Sequence, residues 1–141
     1  MDSKLMSNNL SQRRAAEGSY EAKRASNTFG RSRSRQDNSR KRSDAAQQFR
    51  RQTPSVTSNY ASRGLGNSGV YQRALQQFTG DYSDQVQRFD EADLDAERSY
   101  EMNNQLYEAE YDQTLADLEN KKAMQIAETA AGINSLRPLI G

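Results

Sequence analysis

Residues 63–78 read RGLGNSGVYQRALQQF, a glycine-rich stretch that runs directly into apolar residues at helical spacing. Asn67 or Ser68 is well placed to cap a following helix, because a short polar side chain there accepts a bond from a free backbone N–H. The stretch therefore predicts a tight turn over 63–69 that sets the direction of the preceding chain relative to a helix beginning near Val70. The predicted turn residues are Gly64, Gly66 and Gly69.

Downstream of this turn, residues 70–131 predict one long amphipathic helix. Apolar side chains recur every three or four residues, and the residues between them are mostly strong helix formers. Two four-residue steps through Ala92 and Ala96 indicate a stutter in a heptad-like repeat. A break near Gly80 is the alternative to a continuous helix, and Gly132 is the predicted end. The predicted packing residues are Leu75, Phe78, Tyr82, Phe89, Tyr100, Tyr107, Tyr111, Leu115 and Leu118.

Such a helix cannot bury its apolar face against itself. At 1.5 Å per residue, about 60 residues extend roughly 90 Å, so the face requires a folded-back segment or another chain. Residues 132–141 predict a separate apolar tail that docks on a partner. Its apolar residues are Ile133, Leu136, Leu139 and Ile140.

Upstream of the turn, residues 1–62 have a different composition, rich in Ser, Arg, Asn and Gln. Residues 1–73 carry fifteen Lys or Arg and five Asp or Glu, a balance of +10, whereas residues 74–141 carry five and fourteen, a balance of −9. Few side chains in 1–62 are apolar, so burial cannot offset the roughly 1–2 kcal/mol per residue that ordering a backbone costs. The sequence predicts a mainly α protein with an extended, low-complexity basic N-terminal arm that is disordered unless bound. Residues 53–57 in particular are predicted to be extended, because Thr53 precedes a proline.

The basic residues of the arm are candidate contact residues. An Arg-Ser run at 31–35, followed by further basic clusters, is typical of a flexible tail that contacts phosphates without reading sequence. The alternative, favoured because aromatic residues are sparse in the arm, is that its arginines meet carboxylates on a neighbouring protein. The predicted contact residues are Arg31, Arg33, Arg35, Arg40, Lys41, Arg42, Arg50 and Arg51.

The composition argues against several classes of chemistry. The chain has no Cys and no His, which removes disulfides, thiolate nucleophiles, the usual zinc sites and the commonest general base near neutral pH. The acidic cluster at 90–97 lacks the glycine and the distal glutamate of a calcium loop. We therefore expect a non-enzymatic protein without metal or cofactor. The first residues lack a signal-peptide core and no segment resembles a membrane span, so a soluble intracellular protein without a membrane anchor is expected.

The stretch RGLGNSGVYQRAL at 63–75, running into a long Tyr-, Asp- and Gln-rich helix, resembles small virion proteins of tailed bacteriophages, which often carry an RGL-x-x-SG-x-x-x-x-AL entry before a helix. The resemblance covers residues 63–120 and leaves out the basic arm. It implies a structural component of the neck, tail or another internal assembly, found in the virion and, during assembly, in the bacterial host cytoplasm.

The partners implied by this resemblance are other virion proteins and copies of the chain itself, with DNA as a further candidate for the arm. Two alternative functions share the same sequence features. One is a nucleic-acid-binding accessory protein with a dimerising helix, and the other is an assembly scaffold or chaperone.

Overall fold

A computed structural model describes residues 3–140 and the side chains of residues 3–133. It contains two α-helices, α1 (Ser3–Ser62) and α2 (Gly69–Ile140), joined by a short connection at 63–68. The described part of the chain contains no β-strand. The protein is therefore mainly α, but the prediction of a single long helix is wrong because the N-terminal segment forms a second one.

The prediction of an extended N-terminal arm is wrong for the same reason. The predicted arm forms α1, and Pro54 lies inside this helix, next to Thr53, whose hydroxyl donates to the Phe49 carbonyl at 2.7 Å. Its composition gives α1 too few apolar residues for a core of its own, but α2 supplies rings that stack on its few aromatic side chains and carboxylates that pair with its arginines. That the segment is disordered when alone stays a prediction.

The chain divides into two compact units, one of which is Phe29–Tyr100. In this unit, Asn38 contacts Asp93 and Phe49 contacts Tyr82. Partner numbers fall along α2 as residue numbers rise along α1, so the two helices run antiparallel and form a helical hairpin.

The other described unit combines residues 3–28 of α1 with residues 101–140 of α2. Asn9 donates to the Leu118 carbonyl at 3.3 Å, and Tyr20 stacks on Tyr111. The same falling order of partner numbers shows that these two helix segments are also antiparallel.

The connection at 63–68 ends α1 through a left-handed glycine. Gly64 has φ of +73°, its N–H donates to Ala61 at 3.0 Å, and the N–H of Leu65 donates to Tyr60 at 2.9 Å. This is the Schellman pattern, in which two late carbonyls of a helix are satisfied around a residue with positive φ. Ser68 then caps α2, because its Oγ accepts the N–H of Tyr71 at 3.2 Å.

Only Gly64, of the three glycines predicted to shape the turn, has a positive φ. A Cβ at Gly66 would make an ordinary contact with Ala61, and one at Gly69 would meet nothing within 4 Å. Gly64 is therefore the one of these three positions at which the backbone conformation requires a glycine.

Helix α2 continues through Gly80, as predicted, without the alternative break there, but its predicted end is wrong, since Gly132 also lies within the helix. A glycine inside a helix costs only about 1 kcal/mol relative to alanine, which the strong helix formers around it outweigh. In the predicted tail, the side chains of Leu136, Leu139 and Ile140 lie outside the described residues.

The residues with which each helix faces the other recur every eleven positions. On α2, the half-buried series is Phe78, Phe89, Tyr100, Tyr111 and Lys122. On α1, it is Leu5, Ala16, Asn27, Asn38, Phe49 and Tyr60. Eleven residues complete three turns at about 3.67 residues per turn, close to the value of about 3.6 for an α-helix. A heptad followed by a four-residue stutter spans eleven residues. The stutter predicted through Ala92 and Ala96 is therefore one instance of a regular eleven-residue repeat.

We predict opposite effects of alanine at two glycines. Gly64→Ala should lower the free energy of unfolding by about 1–2 kcal/mol, because a side chain is strained at positive φ. Gly80→Ala should raise it by about 0.5–1 kcal/mol, because this position is helical and open. Urea unfolding followed by circular dichroism measures both. A destabilising Gly80→Ala would indicate a functional break that the structure does not contain.

Candidate functional site

An ionic cluster joins the two helices within the unit Phe29–Tyr100. Arg31 donates through Nε and Nη2 to the two carboxylate oxygens of Glu97, at 2.8 and 2.6 Å. Arg35 donates to the same carboxylate at 3.1 Å. The paired contacts of Arg31 match the planar fork of a guanidinium, which makes them the most directional ion pair of the unit. The guanidinium of Arg31 also lies over the Tyr100 ring, 4.4 Å from its centre.

A second part of the cluster is built around Arg42. Its Nη2 donates to Asp90 at 2.6 Å and to Asp93 at 2.8 Å. Asn38 donates both to Asp93 and to the Phe89 carbonyl. The hydrogen bond from Asn38, supported by the one from Arg42, lowers the pKa of Asp93 below its usual value. The bond to Asp90 raises the pKa of Arg42.

An open groove of about 560 Å³ runs beside these ion pairs. Its lining residues are Arg35, Ser39, Arg42, Asp90, Asp93, Leu94 and Glu97. The charges that line it already satisfy one another, so the groove offers neither a free anion site nor a free cation site. Across the described side chains, no group of three acidic residues is arranged to hold a metal ion.

Aromatic contacts flank the ionic cluster toward the connection. Phe49 stacks on Phe78 with ring centres 5.1 Å apart and on Tyr82 at 4.3 Å. Ala45, one turn earlier on α1, is 6% exposed and is the only buried residue among the described side chains. These contacts are the nearest approach to an apolar core that the unit has.

The unit formed by residues 3–28 and 101–140 repeats the same kinds of contact. Tyr20 stacks nearly parallel on Tyr111 at 4.7 Å. Lys23 pairs with Glu110 at 3.1 Å and lies 5.8 Å from the centre of the Tyr107 ring. Further bonds between its two helix segments join Asn27 to Asn104 and Arg13 to Glu119.

The structure separates the eight predicted contact residues into two groups. Arg31, Arg35 and Arg42 pair with carboxylates of α2. The carboxylates expected on a neighbouring protein are therefore, for these three, on the same chain. The other five are exposed on α1, and they are Arg33, Arg40, Lys41, Arg50 and Arg51.

The nine predicted packing residues of α2 are all half-buried. Sequence reasoning missed their partners on α1, above all Tyr20, Asn38 and Phe49. The signal that was available is the eleven-residue spacing of Asn27, Asn38, Phe49 and Tyr60.

Two phenylalanines of α1 provide a matched test of the helix packing. Phe49→Ala should lower the free energy of unfolding by about 2 kcal/mol, less than the roughly 3–5 kcal/mol of a fully buried phenylalanine. Phe29 is 66% exposed, so Phe29→Ala should change stability by less than about 0.5 kcal/mol. Urea unfolding measures both variants, and equal effects would contradict the assigned packing.

Acid should weaken the helix pair through Asp93. The folded state lowers the pKa of Asp93. The ionised carboxylate therefore contributes to the free energy of unfolding above the unfolded-state pKa of about 3.9, and this contribution is lost as the pH falls through the folded-state pKa. Asp93→Asn should therefore reduce the drop in melting temperature between neutral pH and about pH 3. Asp95→Asn, at an exposed position of α2, is the control and should leave that drop unchanged.

Neither described helix has an apolar stretch long enough to cross a bilayer. Comparison of the chain with protein-family models, with curated proteins and with solved structures gave no match. The contacts of the described residues are therefore the basis on which a function can be assigned.

Proposed function

We propose that the chain is a non-enzymatic structural or assembly protein of a tailed-phage virion, present in several copies at the neck, tail or another internal assembly. The observation that carries this proposal is the lack of a core. Ala45 alone is buried among the described side chains, and the accessible surface is 10843 Å². A compact monomer of this mass exposes roughly 7,400 Å².

A chain that buries so little gains most of its order from neighbours. Each helix covers one face of the other, so even the packing residues are only half-buried. Several large apolar side chains remain exposed on the two helices and in the connection between them, and contact with other chains would remove them from water. They are Met6, Leu10, Phe29, Leu65, Val70, Leu94, Met102, Leu106, Met124, Ile126 and Ile133.

The phage assignment rests on the RGLGNSGVYQRAL stretch at 63–75, which forms the connection at 63–68 and the start of α2. The proposed partners are copies of the chain and other virion proteins. The proposed location is the virion, and the host cytoplasm during assembly.

The non-enzymatic part of the proposal rests on the side-chain chemistry. Where charged side chains meet across the helices, as at Arg31 with Glu97 and Arg42 with Asp90, they form ion pairs instead of a nucleophile with its base. With no His and no Cys in the sequence, we propose no cofactor and no metal.

The purified chain should sediment as an assembly larger than its 15.9 kDa monomer. Replacing the exposed Met102 and Leu106 together by Gln should lower that mass while leaving the helical circular dichroism signal intact, because both side chains project into solvent. Gln87→Ala, also at an exposed position of α2, is the control and should change nothing. A compact monomer with a cooperative melt would contradict the proposal.

Mass spectrometry of purified particles separates a virion component from an assembly scaffold. A component stays in mature particles at a fixed ratio to the other structural proteins, whereas a scaffold is present in precursors only. Absence from both would overturn the phage assignment.

A further inference from the structure

The basic residues of α1 in the unit Phe29–Tyr100 are only partly used by α2. Residues 29–62 contain eight Lys or Arg, of which Arg31, Arg35 and Arg42 form the ion pairs with α2. The other five are exposed and make up what we call the outward basic face. This face consists of Arg33, Arg40, Lys41, Arg50 and Arg51.

The helical repeat aligns the centre of this face. Arg33, Arg40 and Arg51 are separated by seven and eleven residues, which are close to two and three whole turns, so they follow one line along α1. At 1.5 Å per residue that line is about 27 Å long, the length of roughly eight base pairs of duplex. Lys41 and Arg50 flank it.

The acidic residues of the same stretch do not cancel this charge. Residues 29–62 contain two of them, Asp37 and Asp44, and both are exposed. Against the five cations of the outward basic face they leave a surplus of three positive charges. The carboxylates of α2 that contact this part of α1 are occupied by Arg31, Arg35 and Arg42.

The residues between the cations favour phosphate over a protein partner. A stable protein interface has apolar and aromatic residues at its centre, but in residues 29–62 the exposed large hydrophobic side chain is Phe29, which lies at the end of the stretch and not between the cations. Apart from Asp37 and Asp44, the exposed positions between the cations carry mostly uncharged side chains that can donate to phosphate oxygens. Examples are Ser32, Gln36, Ser43 and Gln47.

We propose that the outward basic face of α1 binds the phosphate backbone of duplex DNA without reading its sequence. Arginines on one helical line meet a row of phosphates, and release of condensed counterions supplies the free energy. The acidic helix α2 packs on another side of α1, so DNA approaches α1 from the face that α2 leaves uncovered. This binding goes beyond the structural role proposed above and does not depend on it.

The test uses the full chain and a labelled duplex of about 20 base pairs, with fluorescence anisotropy at salt concentrations between about 50 and about 200 mM. Each phosphate contact contributes about −0.9 to the slope of log K against log salt, so five contacts give a slope of about −4.5. The triple variant Arg33→Gln, Arg40→Gln and Arg51→Gln should reduce the size of this slope by nearly 3 and weaken binding at least about tenfold at low salt.

The matched control removes the same charge from the paired side of the helix. The triple variant Arg31→Gln, Arg35→Gln and Arg42→Gln should leave the salt slope unchanged. If this control loses helical signal, the comparison is made between Arg40→Gln and Arg35→Gln, since Arg35 is 60% exposed and makes a single ion pair. Two duplexes of unrelated sequence should bind equally.

Three outcomes would overturn the proposal. One is the absence of binding to either duplex at the lowest salt concentration. Another is equal weakening by the outward and the paired variants, which would mean that net charge alone acts. The third is binding of poly-glutamate as tight as that of the duplex, which would assign the face to an acidic protein. None of these results bears on sedimentation or on particle incorporation, so the structural role is tested separately.

Discussion

Order in this protein depends on one strip of side chains along each helix, because a helix that packs on a single neighbour can bury only one of its faces. On α1 this strip is poor in apolar residues, and its order therefore depends on what α2 presents to it. Ion pairs that stay open to solvent contribute about 0–1 kcal/mol each, and Arg31 with Glu97, although partly buried, cannot hold the helices alone. The stacking of Phe49 on α2 supplies apolar burial that the ionic cluster lacks.

Polar contacts inside the strip give the pairing its register. Asn38 with Asp93 in one unit and Asn27 with Asn104 in the other occupy positions that aromatic residues take elsewhere in the same eleven-residue series. A slip by one eleven-residue repeat toward the connection would place Asn38 opposite Phe78 and Tyr82, which face Phe49 in the structure, and would leave its amide unpaired. Such polar pairs add little stability but exclude wrong alignments, as a buried asparagine does in a coiled coil.

The packing face of α2 was accessible from its sequence, whereas that of α1 was visible only as a sparse eleven-residue spacing. The packing residues of α2 are aromatic and aliphatic, so their helical period is visible in one segment taken alone. The face of α1 mixes Asn, Arg and Thr with single aromatic residues such as Phe49 and Tyr60. Most of these residues count as polar in the composition of α1. They stabilise the fold only through their contacts with residues of α2 that lie far along the chain. The end of α2 was predicted too early, at Gly132, because the local preference of glycine for a helix end does not decide where the helix stops.

The eleven-residue repeat has a consequence for how such a chain can change length during evolution. A deletion in one helix alone would shift every facing pair beyond it, and the two strips would no longer match. A chain could instead lose eleven residues of α1 and the eleven residues of α2 that face them. The remaining pairs would then stay opposite each other. Each such double step shortens both helices by about 16 Å. Relatives of this protein, if they differ in length, should therefore differ by paired multiples of one repeat placed symmetrically about Gly64.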